Sequence, residues 1–284
     1  VDPVKGEYFQ PITVTPRSVF QINHPKILLP KGSGNSKSLE VQIKAIGKIE
    51  AGRVRVLNQA GETLGTLALD NGIEAGTSQN LVFTLREKDQ KFEGKETWKL
   101  RLAYETAQGN WIDSLQMESI NYPHIPVQRY FSPVSVNLLH IDFKKNGKRI
   151  GYIKGAGDKV PESLEQMGYQ VDFLQEADLK ASHLAQYDVV LTGVRAHNTL
   201  DYLGNAHAEL MKYVEQGGNY VVQYNTASFV GPLKSTVGPY PLTISRNRIT
   251  KEEATPKFLM DHALFHAPNE ITERDFDKIG RAHV

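Results

Sequence analysis

Apolar and polar residues alternate along the first 120 positions and then give way to a different rhythm. Residues 39–45, Leu-Glu-Val-Gln-Ile-Lys-Ala, alternate strictly, as do 52–57 and 80–85, and this predicts half-buried strands. Residues 98–104, Trp-Lys-Leu-Arg-Leu-Ala-Tyr, predict another strand with one basic and one apolar face, and 111–120 a closing one. Asn58-Gln59-Ala60-Gly61, Asp70-Asn71-Gly72 and Gln108-Gly109-Asn110 supply turns at short intervals. Residues 15–120 therefore read as a small antiparallel sandwich, with 1–14 as a linker into it.

Pro123, Pro126 and Pro133 fall within eleven residues and resist both helix and central strand, so 121–147 reads as a connection that ends in one strand at 134–143. From Arg149 short buried apolar runs alternate with amphipathic ones, the pattern of βαβ units. Strands are predicted at 149–153, 170–174, 187–192 and 219–224, and helices at 160–167, 178–185 and 203–215. Gly168 and Gly217-Gly218 stop the first and last helix. The predicted class for 148–278 is thus a doubly wound α/β parallel sheet, flavodoxin-like in outline.

Composition narrows the chemistry. The chain has 284 residues, 33 basic and 32 acidic side chains, and no Cys. Two domains are the natural expectation at this length. The near cancellation of charge gives no electrostatic case for nucleic acid, and no stretch approaches the roughly 20 apolar residues of a membrane span. Without Cys there is no disulfide, thiolate metal site or Cys nucleophile. The last six residues, Ile279-Gly280-Arg281-Ala282-His283-Val284, read as an adapter-derived tail, and the chain as a fragment.

In an open parallel sheet ligands bind outside the carboxyl ends of the strands, which points to three loops. After the first strand, Lys154-Gly155-Ala156-Gly157-Asp158 makes a tight glycine-rich turn in which Asp158 suits a helix cap; it lacks the Lys-Ser or Lys-Thr of a phosphate loop. After the third, Gly193-Val194-Arg195-Ala196-His197-Asn198 offers a guanidinium for a carboxylate or phosphate and an imidazole for a proton. After the fourth, Tyr224 and Asn225 stand where related folds carry a nucleophile, but an amide is none, and Ser228 lacks the flanking glycines of a nucleophile elbow. Arg246 and Arg248 are two further guanidinium groups on an extended segment. His262 and His266 have a helical metal spacing without an accompanying Glu, and a structural role is the plainer account.

The stretches 148–158, 187–198, 217–226 and 238–248, with Tyr122-Pro123-His124-Ile125-Pro126, resemble the class I glutamine amidotransferase-like region that follows the catalytic domain in some bacterial PIG-L/LmbE-family deacetylases. The segment before them is similar to an immunoglobulin-like accessory module. This resemblance implies an upstream catalytic domain holding zinc through an Ala-His-Pro-Asp-Asp motif, which this chain does not contain, and an N-acetylated glycan or glycoconjugate as partner. It implies no cofactor for the fragment itself. Amidotransferase chemistry is not expected, since Asn225 stands where that Cys belongs. Export to the periplasm or cell surface is the expectation from a glycan-directed family with accessory modules.

The leading expectation is therefore a non-catalytic accessory fragment that positions glycan or docks the catalytic domain, with Gly157, Asp158, Arg195, His197, Asn198, Tyr224, Asn225, Arg246 and Arg248 as candidate ligand residues. Two alternatives stand beside it. One is a Cys-independent hydrolase in which His197 activates water next to Asp158, and this requires the two within hydrogen-bond reach, directly or through one water. The other is a carbohydrate-binding sandwich in which Trp98, Tyr104 and Trp111 present their faces to sugar rings.

Overall fold

The computed structural model describes residues 12, 14–32, 34–89, 96–227, 232–245, 258 and 260–276. The chain divides into two compact units, 1–142 and 143–284.

The first unit is built from β1 (Ser18–Ile22), β2 (Lys26–Pro30), β3 (Ser36–Ala45), β4 (Gly52–Leu57), β5 (Thr63–Leu69), β6 (Ser78–Arg86), β7 (Thr97–Thr106), β8 (Trp111–Asp113), β9 (Leu115–Ile120), β10 (Gln128–Pro133) and β11 (Ser135–Ile141). One sheet has the order β1-β3-β6; the other runs β2-β11-β7-β4-β5, with β8 also on β7. The alternation in β3 puts Leu39, Val41 and Ile43 inward, opposite Phe83 and Leu81 of β6. Across the core, Val54 and Val56 of β4, Leu100 and Leu102 of β7, and Val136 and Leu138 of β11 complete one cluster. Each such side chain removed from water contributes about 1.5–3 kcal/mol, which is what holds the two sheets face to face.

The connection differs from its expected form. The predicted strand 111–120 breaks at Ser114, which is buried and hands the chain from one pairing to another: its N–H donates to the Leu102 carbonyl and its own carbonyl accepts from Val134. β9 and β10 then pair antiparallel around a loop holding Pro123 and Pro126. Pro133 ends β10, a position where a missing N–H is tolerated. The strand predicted at 134–143 is β11, and it lies inside the sandwich, parallel to β2 and antiparallel to β7.

The second unit contains β12 (Arg149–Ile153), α1 (Val160–Gln166), β13 (Gln170–Phe173), α2 (Ala181–Leu184), β14 (Val189–Thr192), α3 (Ala196–Thr199), α4 (Tyr202–Glu215) and β15 (Asn219–Val222). The four strands are parallel in the order β13-β12-β14-β15. On one face Ile150, Tyr152 and Leu191 pack with Val160 and Leu164 of α1. On the other, Ile153 and Val190 meet Leu184 of α2 and Leu203, Ala206 and Leu210 of α4.

The doubly wound α/β class expected here is overturned. Of the described residues 39% are strand and 16% helix, so the chain is predominantly β with several sheets. Two of the four α-helices among the described residues are only four residues long. After β15 the described residues 223–227 and 232–245 carry neither strand nor helix. Pro232, Pro239 and Pro241 fall in that stretch, and each removes a backbone donor that a further strand or helix would need. Periodicity identified individual elements correctly but overstated how far they continue.

Candidate functional site

Three loops meet beyond the carboxyl ends of β12, β14 and β15, and hydrogen bonds tie them together. Tyr152 is the last but one residue of β12 and is fully buried, so its hydroxyl needs partners. It donates to the Asp158 carboxylate, with its oxygen 2.6 and 2.8 Å from the two carboxylate oxygens, and accepts from Gln223 Nε2 at 2.9 Å. Asp158 also accepts from Val160 N–H at 3.0 Å and from Val194 N–H at 3.1 Å. Burial, with the adjacent carboxylate, pushes the Tyr152 phenol far up, so it stays protonated and keeps donating.

Glycine permits this closeness. A Cβ on Gly155 would lie 2.1 Å from the Val194 carbonyl oxygen, and one on Gly193 would lie 2.8 Å from the Gly155 nitrogen. The Ala156 N–H donates to the same Val194 carbonyl at 2.8 Å. The N-cap position of α1 is Lys159, and Asp158, one residue earlier, holds the first helical amide, Val160, while it also clamps the loop after β14. Its replacement by Asn, which keeps one acceptor but loses charge, is expected to cost about 1.5 kcal/mol in urea unfolding followed by helix circular dichroism. An unchanged midpoint would contradict the clamp.

The loop after β14 is fixed from the other side. Arg195 N–H donates to the Tyr224 carbonyl at 2.7 Å. The Asn225 side chain accepts from His197 N–H at 3.1 Å and donates to the Gln223 carbonyl at 2.8 Å. Asn198 pairs doubly with Thr226, donating to its carbonyl at 2.9 Å and accepting from its N–H at 3.0 Å. Asn225 and Asn198 are both buried and serve the backbone of these loops. Tyr224 stands 43% exposed at their edge, and Gly157, at φ 113°, has open space where a side chain would be.

His197 is 1% exposed, and both ring nitrogens are engaged: Nδ1 with Ser235 Oγ at 2.6 Å and Nε2 with Tyr220 Oη at 3.0 Å. Burial, reinforced by His207, lowers its pKa to about 4. It is an enclosed imidazole whose ring partners are Ser235 and Tyr220, and it makes no direct hydrogen bond to Asp158.

Arg195 differs from its neighbours. It is the one non-glycine residue with positive φ, 59°, among the described residues, a conformation that costs roughly 1 kcal/mol. The pinning of residues 195–198 to 224–226 is what sustains it. Its Nε is enclosed without a hydrogen-bond partner, and it forms no ion pair among the described residues. A cleft of about 270 Å³ lies at the end of β12, lined by Tyr152, residues 154–158, Pro161 and Glu162 of α1, and Phe173 of β13. Lys154 Nζ sits 4.0 Å from the centre of the Phe173 ring.

Other candidates fall away or lie elsewhere. Arg246, Arg248 and Ser228 are outside the described residues. His262 accepts from the Leu264 N–H at the start of a 3-10 turn, while His266 pairs with Asp261 and, at 2.9 Å, with Glu270. No cluster of three or more metal-ligating side chains occurs among the described residues. Tyr104 belongs to the sandwich core and donates to the Glu50 carbonyl, and the partly buried Trp98 packs against that core. Trp111 is 46% exposed, but the Arg55 guanidinium lies 4.2 Å above its ring. No described helix is long and apolar enough to cross a membrane.

Sequence reasoning missed Tyr152, Gln223, Tyr220 and Ser235. For Tyr152 a signal existed: a phenol inside a strand reading Arg-Ile-Gly-Tyr-Ile must find a polar partner, and Asp158 stands six residues later.

No protein-family model matches the chain, and no curated protein matches it. Among solved structures it is similar to a CARDB domain from Pyrococcus furiosus, at 8% identity over 46% of this chain and 100% of that one, with a TM-score of 0.28. Murine CRIg is similar at 6% identity over 43% of this chain and 97% of its own, TM-score 0.23. A β-D-glucuronidase from Dictyoglomus thermophilum aligns at 8% identity over 78% of this chain and 46% of that enzyme, TM-score 0.24. At these scores the likenesses are distant.

Proposed function

We propose that the chain is a non-catalytic accessory part of a PIG-L-type N-acetylglucosaminyl deacetylase, in which the cleft beyond β12 and β13 receives the glycan. The observation that carries this reading is the internal engagement of His197, Asp158, Asn198 and Asn225, the polar groups of the three loops. His197 is enclosed and neutral, Asp158 is committed to Tyr152 and two backbone amides, and Asn225 and Asn198 brace loops. What faces the cleft is a binding surface: the aromatic Phe173, the cation of Lys154 and the open turn at Gly157. The lining sets Phe173 and Pro161 beside the charged Lys154, Asp158 and Glu162, a mixture that offers an aromatic surface and hydrogen-bonding groups to a sugar.

The test is calorimetric titration of N-acetylglucosamine oligomers into the full chain, alongside Phe173→Ala and Trp111→Ala. Saturable heat abolished by Phe173→Ala supports the crevice. Heat abolished by Trp111→Ala instead would move glycan recognition to the sandwich, and no heat at all would sink the glycan reading.

A further inference from the structure

Charge is unevenly spread over the first unit. β4 and β7 are neighbours, and their core-facing residues Val54, Val56, Leu100 and Leu102 leave Arg53, Arg55, Lys99 and Arg101 on the outward face of the sheet. The register sets these cations in one diagonal band. Lys26 of β2 and Lys99 stand on either side of Asn137, Arg101 follows two residues along β7, and Arg55 and Arg53 continue the band on β4, opposite Ala103 and Glu105. Arg53, Lys99 and Arg101 are exposed, and none of the three forms an ion pair among the described residues. The carboxylates of this face, Glu105 and Asp113, lie on one flank of the band, and Glu105 is held by Arg55 at 2.8 Å. The face thus carries an excess of positive charge that the overall balance of the chain conceals.

Successive outward positions on a strand are about 7 Å apart, whereas duplex DNA carries one charge per about 1.7 Å of its axis. The band is too sparse for so dense a polyanion, and Glu105 and Asp113 would repel it. A polymer with one carboxylate per sugar ring suits the spacing. Arg55 already binds a carboxylate on this face, and the guanidinium fork matches the two oxygens of that group. Ser135 and Asn137 of β11, directly opposite Arg101 and Lys99, add hydrogen-bonding groups for sugar hydroxyls. We propose that the outward face of this sheet is a docking surface for an acidic polysaccharide, a polymer of uronate residues. This goes beyond the cleft of the second unit, since it uses neither Phe173 nor Lys154 and takes a charged chain.

The experiment titrates galacturonate oligomers into the full chain at low salt, beside their neutral methyl esters and a single-stranded oligonucleotide of equal charge. The uronate oligomer should bind saturably and more weakly as salt rises, because attraction between exposed charges is screened. The ester should not bind. Lys99→Gln combined with Arg101→Gln should weaken binding by roughly tenfold at an unchanged Tm. Arg53→Gln, on the neighbouring strand, should give a smaller loss in the same sense. Lys44→Gln combined with Lys212→Gln removes the same net charge from exposed positions elsewhere and should bind like the parent. Phe173→Ala should also bind like the parent, so the cleft can fail as a glycan site while this face stands. Equal weakening by the two double variants would reduce the effect to net charge and overturn the proposal. Tighter binding of the oligonucleotide would make the face one for nucleic acid, and equal binding of the ester, or no binding of the uronate, would overturn it as well.

Discussion

Replacing Leu138 by alanine is expected to destabilise the first unit by about 3 kcal/mol. Leu138 has no exposed surface, belongs to β11, and stands opposite Trp98 of β7 on one side and Ile27 of β2 on the other. A strand in the middle of a sheet cannot retract to fill the space left by a truncated side chain, so the loss includes both the burial of the missing atoms and the cavity. Both tryptophans, Trp98 and Trp111, lie in this unit, and their fluorescence in urea therefore tracks its unfolding alone. A midpoint corresponding to less than about 1 kcal/mol of destabilisation would remove β11 from the sandwich core and return it to the role of an interdomain strand.

The placement of β11 also marks the boundary of what a sequence can disclose. Strict alternation identified β3, β4 and β6, because a strand with one face in a core and one in water has a period of two and little freedom in register. It marked β11 as a strand but could not assign it to the sandwich, because its flanking prolines imply a connection and its pairing partners β2 and β7 are distant in sequence. Pairing is a long-range property that local pattern does not carry. The same limit explains the overturned class of the second unit. Residues 149–153, 170–173 and 219–222 are strands close to where their apolar runs predict them, yet the extent of a fold depends on the chain beyond β15, and no local period marked where regular structure stops.

At the site, residue type was legible and environment was not. Arg195, His197 and Asn198 stand together in sequence, but only the fold separates them into an unpaired guanidinium, an enclosed imidazole and an amide bracing Thr226. The backbone conformation of Arg195 has no sequence signal, because glycine or asparagine is what the left-handed region ordinarily selects.

The enclosed imidazole leads to a second large effect, on stability against pH. Burial depresses His197 from the usual 6.5 to about 4, so the unfolded chain takes up a proton as pH falls through 6.5 while the folded unit refuses it until about 4. The unfolded state binds more protons throughout that window. The stability that neutral His197 contributes is therefore complete above pH 6.5 and is lost as pH falls towards 4, by about 3 kcal/mol at the lower end. Urea unfolding of the second unit, monitored by circular dichroism of its helices, should show a falling midpoint from pH 7 to pH 4.5. Asp172 and Asp188, held below the ordinary carboxylate range by Arg149 and by backbone amides respectively, lose their contributions at lower pH, and His266, raised by Asp261 and Glu270, works in the opposite sense. All three persist in His197→Gln, which can still bond Ser235 or Tyr220 but cannot titrate. The difference between parent and variant isolates the imidazole: the variant should be less stable at pH 7.5 and should lose much less on acidification. Parallel pH profiles for the two proteins would mean that His197 is not excluded from protonation, and a proton-transfer role for it would have to be reopened.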